Sequence, residues 1–557
     1  MTNKEIAGQL KLTQQLLELH GANPFKVKAY SSAIYNIDQS NMALEDFNES
    51  DFSTIGIKEK MAQKIFKIIQ TGRFDELNEL LECTPQDVFE LLNIKGLGAK
   101  KVHLLWQDHQ IDSVQKLKKA CEENSLTALK GFGEKTQEKI LENILYTESQ
   151  QGNFMYAEIL PTVDILHKKL NLLFNNVNIS GQVIRQLPVV NVIKFIIKKE
   201  KNSLEKINTI EGLSYDEKIS GPLCWRGTEI TTGIKTEIIL SADIIKSTLE
   251  HHSSPAHLAL TLNDGKTIYQ AIKQGDYSKE EEFYQHYNFN YIPPACREGQ
   301  IETLFKTDKK NPQLLQLEDI KGPLHNHCTY SDGRHTLTEM AQQCREMGYE
   351  YLGISDHSKT ATYARGLTEE RIEAQHTEIE ALNSSYTNFK IFKGIESDIL
   401  MDGSLDYSND VLKSFDFIVA SIHSGLEMDK EKATQRLITA IENPYTTILG
   451  HPTARLLTRR AGYPINHKKV IDACADNQVV IEINANPWRL DIDWKWVSYC
   501  LEKGVMLSIN PDAHHKDKFS DMYFGVLIGQ KGGLTKEMNL NSKSLTELES
   551  YFSSRKK

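Results

Sequence analysis

The sequence predicts a multidomain protein in three architectural parts. A helical region spans 1–150, an α+β segment spans 151–305, and a short polar linker at 306–320 leads into a parallel βα sheet or barrel over 321–557. Three observations carry this reading. Short glycine turns recur between amphipathic helices at the start, β-branched runs appear in the middle, and apolar runs alternate with helical stretches at the end.

The bulk properties agree with a globular chain. At about 100–200 residues per domain, 557 residues suit three or four domains. No apolar run approaches the roughly 20 residues that cross a bilayer. The start, "MTNKEIAGQLKL", has no apolar core segment, so no signal peptide is expected. Eight cysteines are scattered without a C-x-x-C pair, which predicts free thiols in a reducing cytoplasm. The net charge of −10 gives no hint of a basic face, so any grip on nucleic acid has to come from local patches or backbone amides.

The helical part starts with "EIAGQLKLTQQLLELHG", apolar at helical spacing and closed by Gly21. Three turns then share one plan, apolar–Gly–apolar–polar helix start: "STIGIKEKMAQKI" (53–65), "NIKGLGAKKVHLL" (93–105) and "LKGFGEKTQEKIL" (129–141). Glycine lets backbone N–H groups approach a phosphate, and a following helix adds its positive end. The turns Gly96-Leu97-Gly98 and Gly131-Phe132-Gly133 resemble helix-hairpin-helix motifs, which implies sequence-independent contact with a DNA backbone. Lys100, Lys101 and Lys135 follow the turns as further phosphate contacts.

In the middle, "VVNVIKFII" (189–197), "TEIILSA" (236–242) and "HLALTL" (257–262) are expected strands. In the last part the expected strands are "YLGISDH", "FKIFKGIES", "FDFIVASIHS", "TTILGHP", "VVIEINAN" and "VMLSINPDAHH". Their C-terminal ends, and the stretch "GPLHNHCTYSDG" (322–333), carry His325, His327, Asp332, His357, Glu396, His423, His451, Asp512 and His514. Residues two apart on a strand face one side, and strand ends of a βα barrel converge on one mouth. These nine side chains suffice for two or three divalent ions, with Mn2+, Zn2+ and Fe2+ all compatible.

The ordered elements H-x-H-x4-D-G, S-D-H, G-I-E, I-H-S, G-H-P and D-x-H are similar to those of the PHP (polymerase and histidinol phosphatase) family. That resemblance implies a distorted (β/α)7-type barrel with a multinuclear metal site. It groups His325, His327, Glu396 and Asp512 on one ion. Glu396, His423 and His451 hold a second, and Asp332, His357 and His514 a third. Ions so held turn a bound water into hydroxide near neutral pH and clamp the phosphoester oxygens. Arg365, Arg455 and Arg489 are candidate phosphate contacts, and Asn486 a candidate support. Pro323 stands where family members often carry aspartate, which leaves the local packing open.

"NPFKVKAY" (23–30) and "GIKEKMAQKI" (56–65) resemble the amino-terminal lyase region of family X DNA polymerases, with Lys64 at the Schiff-base position. Bacterial members run helical domain, palm, thumb, PHP, an order the whole chain fits. The "SSPAHLALTL" stretch (253–262) is similar to a thumb element. The palm departs from the pattern. Gln182 follows Gly181 where serine is expected, Val192 and Lys194 fall on the D-x-D positions, and Glu237 is the third. Valine offers no lone pair and lysine puts a cation where a cation should bind, so the palm and thumb are read as degenerate.

The expected activity is therefore metal-dependent phosphodiester hydrolysis, foremost 3′-5′ removal of nucleotides from DNA, with abasic or 3′-phosphate ends as further substrates. The expected partner is DNA (gapped, nicked or 3′ ends), with a monomer in the cytoplasm that is nucleoid-associated when bound. A working polymerase, a small-molecule phosphatase and a non-catalytic DNA-end scaffold are the alternatives.

Overall fold

The computed structural model describes residues 3–555 apart from Asn41, Arg73, Asn93 and Lys95. The chain divides into two compact units, Met1–Gln151 and Gly152–Lys557. No described helix is long and apolar enough to cross a membrane.

The first unit is helical: α1 (Asn3–Leu19), α2 (Pro24–Gln39), α3 (Glu59–Thr71), α4 (Asp75–Cys83), α5 (Gln86–Leu92), α6 (Ala99–His103), α7 (Val114–Glu122) and α8 (Glu134–Ser149). The apolar stripes of these helices meet in one core that includes Leu10, Leu16, Ile65, Val102, Leu117 and Ile140. Asn23 caps α2 by accepting from the Phe25 N–H, and Pro24 sits in the first turn, where a missing N–H costs nothing. Gly96 and Gly131 adopt φ of +94° and +91°, a left-handed conformation that L side chains rarely take. Gly98 and Gly133 then cap α6 and α8 without any side-chain hydrogen bond.

The second unit contains a mixed sheet of β2 (Asn178–Ser180), β4 (Val192–Lys198), β5 (Leu213–Tyr215), β6 (Cys224–Glu229) and β7 (Lys235–Ser241) in the order β2-β4-β7-β6-β5. The short strands β1 (Phe154–Met155) and β3 (Val189–Val190) pair separately. Strands β4 and β7 are parallel, and the remaining pairs of the mixed sheet are antiparallel. The β-branched runs at 189–197 and 236–242 are strands as expected. The run "HLALTL" is not: Ser254 accepts from the His257 N–H and Pro255 opens a helix, Pro255–Leu258. N-cap and proline override the apolar pattern there. His257 is fully buried, bonded to Glu302 (2.8 Å) and to the Tyr284 hydroxyl (3.1 Å).

Further helices follow, Ile244–His251, Ile268–Gln274 and Glu280–His286 among them, and the unit then ends in a parallel half-barrel. Strands β8 (Tyr351–Ile354), β9 (Lys390–Asp398), β10 (Phe417–Ser421), β11 (Ile448–Leu449), β12 (Val480–Asn484) and β13 (Leu507–Asn510) run in sequential spatial order. Each of these six was expected, and each is buried on both faces, as a sheet covered by helices requires. The His-x-His stretch is not a regular strand. It bridges the two edges instead: Gly353 N donates to Pro323 O (2.8 Å), Ser355 N to Asn326 O (2.8 Å) and His327 N to Ala513 O (2.9 Å). Proline is harmless at 323 because the position supplies only a carbonyl to this closure. The segment 306–320 lies against the barrel, with Leu315 fully buried and its N–H donating to Leu534 O.

Candidate metal centre

The strand ends and the bridging stretch bring all nine predicted ligands together. Glu396, at the end of β9, is the hub. Its Oε1 lies 3.3 Å from His325 Nε2, 3.1 Å from His423 Nε2 and 2.9 Å from His451 Nε2. Its Oε2 lies 3.6 Å from His327 Nε2 and 2.9 Å from His357 Nδ1. Asp512 Oδ1 is 3.1 Å from His327 Nε2, and Asp332 Oδ1 is 3.3 Å from His514 Nε2. The ring of His327 stacks between those of His514 (4.1 Å) and His357 (4.5 Å).

The donor atoms form four overlapping sets, each within 4.8 Å: His327–Asp332–His357–His514, His325–His327–Asp512, His325–Glu396–His451 and His357–Glu396–His423. The overlap exceeds the three groups implied by family resemblance, because His327 also joins the Asp332 set and His357 joins Glu396. His325 Nε2, both ring nitrogens of His327, His357 Nδ1 and Glu396 Oε2 are buried without a hydrogen-bond partner. Unpaired polar atoms in a buried site cost on the order of 1–3 kcal/mol each. Lone pairs that converge without bonding one another are what divalent cations require, so the residues fit such ions.

The electrostatics tie the donors tightly to one another. Burial, with His514 and His357 beside it, pushes His327 down to about 3, so it is a neutral lone-pair donor. Burial works to lower His423 and His514, but carboxylates prevail. Glu396 and Asp398 lift His423 to about 10, and Asp332 lifts His514 to about 9. Burial would raise Glu396, yet His423, His325 and His357 hold it well below the carboxylate range. Asp512 reaches its place in a left-handed backbone (φ +52°), a strain typical of functional sites.

Three supporting carboxylates escaped the sequence reading. Glu482, fully buried in β12, bonds His325 Nδ1 at 2.7 Å and accepts from His451 N, Asn484 and Asn510. Asp398 bonds His423 Nδ1 at 2.5 Å. Asp356 accepts from Cys328 N (2.9 Å) and Ser331 N (3.2 Å), fixing the turn that carries Asp332. Such bonds orient a ligating imidazole and fix its tautomer. The signal was present as a lone acid inside apolar "VVIEIN", which is rarely buried without a partner. Asn486 bonds only its own turn, accepting from Trp488 N (3.1 Å), whereas Asn484 reaches Asp512 at 3.2 Å.

The arginines separate. Arg489 Nε lies 3.5 Å from Asp512 Oδ2, on the cluster. Arg455 is committed to Asp493 and to backbone carbonyls of Arg489 and Leu490. Arg365 bonds Ser331 O, at the edge of the site.

In the mixed sheet, Lys194 on β4 stands opposite Glu237 on parallel β7. Lys194 Nζ is 2.8 Å from Glu237 Oε2, and Arg226 Nε is 3.1 Å from Oε1. Val192 faces Lys235 in the same register. In the first unit, added side chains at Gly96, Gly98, Gly131 and Gly133 would meet open space. Lys101 Nζ bonds Gly96 O (3.1 Å) and Lys100 lies 3.6 Å from Glu18, while Lys135 is exposed after its turn. Lys64 is bonded to the Tyr30 hydroxyl (2.9 Å) and to Glu76, which also pairs with Lys26.

Comparison with known proteins agrees with this anatomy. Residues 1–74 match the helix-hairpin-helix domain, 74–144 the SAM-like helix-hairpin-helix tandem and 323–486 the PHP domain. A probable phosphatase of Thermoanaerobacter sp. (strain X514) is 26% identical over 42% of this chain and 94% of its own length. One of Clostridium novyi (strain NT) is 24% identical over 34% and 78%. The DNA polymerase/3'-5' exonuclease PolX of Bacillus subtilis (strain 168) is 33% identical over 99% of both chains. With helix-hairpin-helix domains at one end, a PHP domain at the other and similarity across the full length, the chain belongs to the PolX family.

Proposed function

We propose that this protein is a metal-dependent phosphodiesterase that removes nucleotides from DNA 3′ ends and that its palm no longer polymerises. One observation carries the reading: the barrel mouth gathers nine donor side chains, among them His325, His327, His357 and Glu396 with buried atoms that lack a hydrogen-bond partner, while the palm carboxylate is already paired with Lys194 and Arg226. Divalent ions at the mouth, two or three in number and Mn2+, Zn2+ or Fe2+ by donor type, would supply water activated near neutral pH and a clamp on the phosphoester. The chain's own residues do the rest. Asp398 and Glu482 orient His423 and His325. Arg489, beside Asp512, meets the phosphate, with Arg365 at the edge. The turns at Gly96–Gly98 and Gly131–Gly133, with Lys100, Lys101 and Lys135, hold the DNA backbone without reading sequence. Lys64, paired with Glu76, is the candidate lyase amine.

A gel assay tests this. The protein, Mn2+ and all four dNTPs are mixed with a 5′-labelled primer on a longer template, beside a His325→Ala/His327→Ala variant. Shortened products that fall by roughly 10^3-fold in the variant are expected. Extended products would overturn the reading of Val192 and Lys194. The similarity to probable phosphatases supports a second reading, a small-ester phosphatase. Efficient release of phosphate from a simple monoester, with DNA untouched, would favour it.

A further inference from the structure

One aromatic ring beside the metal cluster is left largely exposed. Tyr363 is 69% exposed, yet its ring centroid lies 6.1 Å from that of His357, a member of the metal cluster. Single exposed aromatics are common and by themselves mean little. Here the loop that presents the ring is held on every side. Ser358 N donates to Glu396 O (3.0 Å), and Leu367 N to His357 O (2.9 Å). Thr360 bonds Asp398 and Asp406, each at 2.9 Å, and Lys359 N bonds the Tyr407 hydroxyl (3.1 Å). Gly366 packs so tightly that an added Cβ would lie 1.8 Å from Ser358 O. A rigid loop therefore holds an apolar face in water beside the cluster.

The charges of Asp398, Glu396 and Asp332, and of Arg489, act on the Tyr363 phenol, so the side chain lies within electrostatic reach of the cluster. Trp488, next to Arg489 in the chain, already has Arg459 over its ring at 3.7 Å.

Resting on the phosphodiesterase reading, we propose that Tyr363 is the platform on which the terminal nucleoside of the substrate stacks, so that the mouth selects nucleotide esters over simple phosphate esters. A flat π-face accepts any base, which suits removal of nucleotides without sequence preference. Arg489, beside Asp512, would hold the phosphate of the same nucleotide.

The test compares two diesters with the same leaving group in Mn2+: thymidine 5′-(p-nitrophenyl phosphate) and methyl p-nitrophenyl phosphate. In Tyr363→Ala, KM for the thymidine ester should rise about tenfold with kcat little changed, and the methyl ester should be unaffected. Tyr363→Phe, which keeps the ring, should behave as the wild type. An equal change on both esters, or none on either, overturns the proposal. A second readout needs no turnover. With EDTA present, an oligonucleotide carrying 2-aminopurine as its 3′-terminal base should be quenched by the wild type and Tyr363→Phe but not by Tyr363→Ala. Equal quenching by all three also overturns it. Should the wild type hydrolyse neither ester, the phosphodiesterase reading fails, and the fluorescence still decides the role of Tyr363.

Discussion

Glu237 in the mixed sheet, which family resemblance reads as a palm, and Glu396 in the barrel both sit on strands with a parallel neighbour and have basic side chains around them, yet their partners differ in kind. Glu237 is clamped by an ammonium and a guanidinium, groups that carry permanent charge and no lone pair. Glu396 is ringed by five imidazoles, side chains that can give up a proton and offer a lone pair to an ion. The first arrangement is complete as it stands. The second leaves buried nitrogens and a carboxylate oxygen without hydrogen-bond partners. The two carboxylates on one chain thus differ in whether basic side chains already satisfy them or leave donor atoms open to an ion.

The largest effect that would sharpen this contrast lies in the barrel. Glu482→Gln keeps the shape but gives His325 Nδ1 a weaker acceptor. Supporting bonds of this kind are worth about 10–100-fold in metal affinity, so titration with Mn2+ should show a loss of that size and exonuclease rate should follow. Unchanged affinity would mean that His325 needs no orienting carboxylate.

A smaller effect is expected in the palm. Lys194→Ala leaves Glu237 with Arg226 alone. The pair is partly exposed, so urea denaturation should show a loss of about 1 kcal/mol or less, with the nuclease rate unchanged. A large fall in nuclease rate would show that the palm salt bridge reaches the barrel and would break the comparison.

The smallest effect concerns acid. Burial would raise Glu237, but Lys194 and then Arg226 hold its carboxyl below the ordinary 4.5. A folded-state value below the unfolded one means the group's stabilisation is full above the unfolded value and is lost as pH falls through the folded one. Glu237→Gln should therefore cost stability at pH 7 and cost progressively less at acid pH below the ordinary carboxylate range. Equal differences at both pH values would show that the carboxyl titrates normally.

Much of this was legible in the residues. Positive-φ glycines in the repeated turns, the six barrel strands and the nine donors all follow from local pattern, because glycine conformation and strand burial leave marks in short windows. "HLALTL" misled because its Ser-Pro start, not its apolar content, decides the conformation. Asp356, Asp398 and Glu482 were less visible, since an orienting carboxylate is defined by what it touches across the fold. Arg455 and Arg489 look alike in sequence and separate only in space, one bound to Asp493 and the other beside Asp512.

The sequence by itself determined the order of the parts, the donor inventory of the mouth and the absence of a D-x-D pair in the palm, since these depend on residue type and spacing along the chain. The tertiary structure decided the rest. It set which donors share a centre, which arginine reaches the cluster, how the irregular His-x-His stretch closes the barrel, and that Lys194 lands opposite Glu237. Those facts depend on contacts between residues tens to hundreds of positions apart, and such contacts exist only once the strands are in register.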